Sequence, residues 1–200
     1  MLYSADLESQ MKKAIFVFSL FLLLPGCLAG AFVAGGATAG GLVTDPREVS
    51  TITADEKITF KVNQRLANDP YLASQTHVNA VSYNQVVLLT GQAYDSELRD
   101  KAEQYAHQVY QVKRVFNKIS LGLPATPLQR AQDVGITSTL KTKMFANRKL
   151  KSNNFKLVTE QGVVYILGVA SRAQAELAVS IARNTVGVKK VVKLIQYKEE

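Results

Sequence analysis

The chain spells one structural module twice, and a fold that serves one copy must serve the other. Ile58, Val62 and Leu66 recur as Ile136, Leu140 and Met144, 78 residues later. Val86, Val87, Leu88, Leu89, Thr90 and Gly91 recur 77 residues on as Val163, Val164, Tyr165, Ile166, Leu167 and Gly168 in loosened form, aligned at the glycine. Ala102, Ala106, Val112, Val115 and Ile119 recur as Ala178, Ala182, Val188, Val191 and Ile195, now 76 residues on. The drift from 78 to 76 implies two single-residue deletions, each in an expected loop. The copies span about 54–121 and 132–197 of the 200 residues.

Each copy predicts the order α-β-β-α-β. An i, i+4, i+8 apolar stripe marks the first helix. A short alternating strand follows, through Val78 and Ala80 or Phe155 and Leu157, then a tight turn at Asn84 and Gln85 or Gln161 and Gly162. A β-branched strand then ends at Gly91 or Gly168, where a glycine supplies a backbone angle or a close approach that a Cβ would forbid. The second helix, about 96–109 or 172–185, keeps small Ala residues on its inner face, and a Val-rich strand closes the module. About 65 residues bury a small share of their surface, so one copy alone is barely stable. Residues 163–167 are apolar on both faces, while helices cover only one. The copies are therefore expected to pack on each other or to self-associate.

The N-terminal part reads as an address. Lys12 and Lys13 precede an apolar run over 14–24, a signal peptide in outline and shorter than the about twenty residues of a transmembrane helix. Asp6 and Glu8 ahead of the run point to translation starting at Met11. Leu24, Pro25, Gly26 and Cys27, which holds the only Cys of the chain, resemble the lipobox of bacterial lipoproteins. That resemblance implies cleavage before Cys27 and its acylation, palmitate included. Each buried methylene of such chains contributes about 0.8 kcal/mol. Leu28, rather than Asp, implies export to the outer membrane. Residues 28–43 are uncharged and rich in Gly and Ala, either a flexible tether or a segment lying along the lipid surface. Asp45 and Pro46 close it with a turn. The expected organisation is a signal peptide over 1–26, a lipidated tether over 27–53, modules at 54–121 and 132–197, and a linker over 122–131.

The module order, the strand ending in glycine, the Ala-rich helix and a Gly-Val-x-x-Val element resemble the BON domain family. The last element is Val186, Gly187, Val188, Lys189, Lys190 and Val191 in copy two. Copy one has Tyr110, Gln111, Val112, Lys113, Arg114 and Val115, with Gln111 in place of the glycine. The implied fold class is α+β: two tandem BON domains, each with two helices packed on a small three-stranded mixed sheet. With lipobox and tether, the chain resembles the dual BON-domain outer-membrane lipoproteins of the DolP type. The resemblance implies an outer-membrane anchor facing the periplasm and a role in membrane integrity. It further implies gathering at the cell division site, a link to the outer-membrane β-barrel assembly machinery, and phosphatidylglycerol binding through the first helix of copy two.

Charge separates the copies. Copy two has eleven cations against three acids, a net of +8; copy one has eight against seven, a net of +1. Lys141, Lys143, Arg148, Lys149 and Lys151 lie on or just past the first helix of copy two. Phe145 lies four residues after Lys141 and three before Arg148. It is either core or an exposed ring among cations, a pattern suited to phospholipid headgroups; the two readings stand level. The candidate lipid-binding residues are Val134, Gly135, Ser138, Lys141, Thr142, Phe145, Arg148 and Lys149.

Other classes fare worse. His77 and His107 stand alone, with no legible nucleophile-base set, carboxylate pair or phosphate loop, so no catalytic residue, cofactor or enzyme activity is expected. One Cys and two His give no ordinary zinc cage. The calculated pI near 9.5 permits nucleic acid, but an exported chain does not meet it. The competing reading is a protein-interaction module that binds an envelope assembly machine by strand addition, without lipid recognition.

Overall fold

The computed structural model describes residues 47–198. The expected signal peptide, Cys27 and residues 28–46 of the expected tether lie outside the described residues. The first module runs through α1 (Val49–Ala67), α2 (Pro70–Gln75), β1 (Thr76–Tyr83), β2 (Val86–Ala93), α3 (Ser96–His107) and β3 (Arg114–Leu121). The second runs through α4 (Pro127–Ala146), a 3-10 turn (Ser152–Asn154), β4 (Phe155–Glu160), β5 (Val163–Ala170), α5 (Arg172–Arg183) and β6 (Lys190–Tyr197). Each sheet has three strands with the middle one central: β1 pairs antiparallel and β3 parallel with β2, and β4 and β6 do the same with β5. The fold is α+β, with α-β-β-α-β written twice.

The repeated residues set this order. Ile58, Val62 and Leu66 are buried along α1, and Leu140 and Met144 along α4. Ala102 and Ala106 of α3, and Ala175, Ala178 and Ala182 of α5, are fully buried, so each helix lies close on its sheet. Asn84 and Gln85 have φ of 52° and 64°, and Gln161 and Gly162 have 51° and 79°. Two successive positive angles give the hairpin turn whose twist matches its strands.

Three expectations change. The second strand of each module continues past its glycine, to Ala93 and Ala170. Gly91 is nevertheless obligatory: its φ is +116°, and a Cβ there would sit 1.8 Å from the His77 carbonyl oxygen. The linker is shorter than 122–131, because α4 begins at Pro127. Thr126 accepts from the Gln129 amide while the Gln129 side chain accepts from the Thr126 amide, and Pro127 takes the first helical position. Helix also reaches into the expected tether, since α1 starts at Val49. Copy one adds α2, which Asp69 caps by accepting from Leu72 N–H. Lys101 Nζ at 2.6 Å, that amide and the Tyr105 hydroxyl hold the Asp69 carboxyl far below its ordinary range.

The two sheets face each other. Val87 and Leu89 point toward the first module's helices, while Leu88 points the other way; Val164 and Ile166 differ likewise from Tyr165 and Leu167. Tyr83, Leu88, Tyr165 and Leu167 form a shared core, flanked by Phe116, Val192 and Leu194. The doubly apolar strand thus has its second covering, as expected. Polar bonds fix the register: Tyr83 Oη donates to Asn154 O at 3.0 Å, Asn84 Nδ2 to Gln196 Oε1 at 2.7 Å, and Gln92 Nε2 to Glu160 Oε1 at 2.6 Å. Gln92 Oε1 also accepts from Ala125 N–H, tying the linker to the same point.

Candidate functional site

The α4 helix buries one face and offers the other to solvent. Asp133, Leu140 and Met144 are buried, and Ile136 packs on the core. At about 100° per residue, Val134, Gly135, Ser138, Lys141, Thr142 and Phe145 fall on an arc of about 120° opposite that face. All six are exposed. Phe145 is 72% and Val134 66% exposed, so Phe145 is no core residue. Leu128, in the first turn of α4 and at the Gly135 edge of that arc, is 69% exposed and joins them. Sequence reading missed Leu128 by assigning it to the linker; the Thr126 and Gln129 cap was the signal that places it in the helix.

The cations follow the same face onto the next loop. The helix ends at Ala146, and Arg148 and Lys149 lie in the turn beyond it, both exposed. That turn is held in place. Asn147 Oδ1 accepts from Lys149 N–H, and Gln174 of α5 donates to Lys149 O at 2.8 Å while accepting from Lys151 N–H at 2.7 Å. Lys143 points elsewhere: its Nζ donates to Asn184 O, at the end of α5. Lys141 and Phe145 also border an open groove of about 450 Å³, floored by Met144, Phe155 and Leu157.

Electrostatics sharpen the difference between the modules. Among the described residues the ion pairs are Arg47 with Asp55, Arg99 with Asp100, Lys101 with Asp69 and His107 with Glu103. All involve carboxylates of the first module's segment, and no cation of copy two pairs with a carboxylate among the described residues. Asp133, one of copy two's three acids, is turned inward: its carboxylate accepts from the amides of Gln161 and Gly162, at 2.7 and 2.8 Å. Asp55 does the same for Asn84 and Gln85 in copy one. The positive field over α4 therefore has few local counter-charges. Lys156 lies apart at the module junction, where burial pushes its ammonium pKa down.

Other sequence candidates are dispersed. His77 is half-buried on β1, and His107 is exposed at the end of α3, 3.7 Å from Glu103. Among the described residues, no group of three His, Cys, Asp or Glu side chains could hold a metal, and no helix is long and apolar enough to cross a membrane.

The BON domain family matches residues 54–122 and 132–199, the two structural repeats. The chain belongs to the BON-domain family. The outer membrane lipoprotein DolP of Haemophilus influenzae is 36% identical over 189 residues, 94% of this chain and 97% of that one. A 21 kDa hemolysin of Actinobacillus pleuropneumoniae is 37% identical over 76% of this chain and 79% of its own length. The osmotically-inducible protein Y of Escherichia coli is 31% identical, covering 72% and 73%. With its paired BON domains and near full-length match, this is a dual BON-domain protein of the DolP type. The face described above is thus the first helix of its second BON domain.

Proposed function

We propose that the protein is a non-catalytic lipoprotein, anchored through Cys27 in the outer membrane and facing the periplasm. Its second BON domain binds anionic phospholipid, of the phosphatidylglycerol kind, and so supports membrane integrity. One observation carries the reading. The exposed face of α4 and the turn after it put apolar side chains, Leu128, Val134 and Phe145, on the same side as cations without carboxylate partners among the described residues, Lys141, Arg148 and Lys149. Apolar side chains dip into the headgroup boundary while cations meet phosphate. Each cation near an anionic surface contributes about 1 kcal/mol. Three would give weak binding alone, and an acyl anchor would hold the domain at high local concentration. The DolP relative's name, an outer membrane lipoprotein, supports the location, and the Leu24 to Cys27 motif supports the anchor.

The test uses residues 47–198 with phosphatidylglycerol and phosphatidylcholine vesicles. The wild-type chain should bind the first in preference, with binding weakened by salt. Changing Lys141, Arg148 and Lys149 together to Glu should abolish it while leaving the circular dichroism spectrum unchanged. Undiminished binding by that variant would reject the assignment to α4.

A further inference from the structure

The junction of the two BON domains forms a second cationic feature, remote in sequence from the α4 face. A groove of about 380 Å³ is bordered on one side by Lys113, Arg114 and Phe116 and on the other by residues 193–196 of β6. Four consecutive strand residues alternate between the two faces of a sheet. A groove that touches all four therefore runs along the strand's edge. β6 is outermost in its sheet and pairs only with β5, so its outer row of N–H and C=O groups is an open template.

The walls are held and carry one sign of charge. Lys113 N–H donates to Gln85 O at 2.9 Å, which fixes the start of β3 against the first hairpin. The bond from Asn84 to Gln196 closes one end. Arg114 lies 5.8 Å from the Phe116 ring centroid. Lys113, Arg114 and Lys193 are exposed, and none pairs with a carboxylate among the described residues. The acid that caps this hairpin, Asp55 of α1, is buried behind the turn and bonded to both turn amides, Ser82 and Arg47.

We propose that this groove takes an extended acidic segment of a protein partner, added as a fourth strand along β6, with its carboxylates on Lys113, Arg114 and Lys193. Strand addition draws affinity from main-chain bonds and selectivity from alternate side chains. A lone phosphate group would use the cations but not the strand edge. The site needs both domains, because two of its cations come from the first and its strand from the second. It is independent of the α4 reading, and each can fail without the other.

The experiment uses the full chain in zwitterionic detergent and a fluorescent ten-residue peptide of alternating Glu and Val. A second peptide has the same sequence with alternate backbone amides N-methylated. The unmodified peptide should bind and slow amide hydrogen exchange in β6. N-methylation should weaken binding about tenfold or more, as should the triple variant Lys113→Glu, Arg114→Glu, Lys193→Glu. The triple variant should keep its circular dichroism and its binding to phosphatidylglycerol vesicles. Absence of peptide binding, or equal binding by the N-methylated peptide, would overturn strand addition. Loss of vesicle binding by the triple variant would also overturn the proposal, by making the groove a headgroup site.

Discussion

At the scale of single residues, the duplication offers an internal control. Gly187 sits at φ +88°, and its counterpart Gln111 sits at +70°. Both copies hold the left-handed angle, one with glycine and one without. An L side chain there costs about 1 kcal/mol or more, partly offset because glycine has more entropy to lose on folding. Gln111→Gly should therefore stabilise the protein by about 0.5–1 kcal/mol, read as a higher urea midpoint at unchanged slope; a lower midpoint would show that the Gln111 side chain contributes more than its strain. The sequence showed this substitution, but it did not show the roles of Asp55 and Asp133. Each caps a hairpin turn about thirty residues away. No local period marks such a bond, so both aspartates counted merely as charges. Reading Asp133 as buried makes the surface of the second domain more one-sidedly basic than its composition suggests.

At the scale of elements, helices and hairpins were legible because their signals are periodic or adjacent in sequence. The stripes of α1 and α4, both tight turns and the Ala faces of α3 and α5 all lie where the residue pattern puts them. Element ends were less legible, since caps compete with neighbouring breakers; Pro127 reads as linker until Thr126 and Gln129 are seen as a cap. The exposed face of α4 followed from knowing which stripe was buried, and the helical period puts Phe145 on the side opposite that stripe; only the structure shows that its ring is exposed there rather than covered by a neighbouring element. Gly135 is the weak point of that face. It lies in mid-helix, with open space where a Cβ would be. Glycine costs a helix about 1 kcal/mol relative to good formers, and here it offers nothing to a bilayer. Gly135→Leu should raise folding stability by about 0.5–1 kcal/mol and tighten phosphatidylglycerol vesicle binding about tenfold, as a partly buried leucine contributes on the order of 1.5 kcal/mol. Tighter folding without tighter vesicle binding would mean that this part of α4 does not meet the membrane.

At the scale of the whole molecule, the duplication is a structural partnership before it is a functional one. The two domains bury their second sheet faces against each other through Tyr83, Leu88, Tyr165 and Leu167. That pairing was foreseeable from the doubly apolar strand at 163–167; its register was not, because it rests on side-chain bonds such as Gln92 to Glu160, which carry no pattern in sequence. A shared core makes the domains one cooperative unit, provided that it contributes a large part of each domain's stability. A domain of about 65 residues has little stability to spare, so this condition holds. Leu88→Ala removes buried methyl groups from the shared layer and should cost about 2–4 kcal/mol. For a body of this size that is about 10 °C of Tm. In differential scanning calorimetry the loss should move a single transition that contains both domains. Two transitions, with only the earlier one displaced, would show that each domain folds alone and that their contact serves only to align the α4 face and the β6 edge on one body.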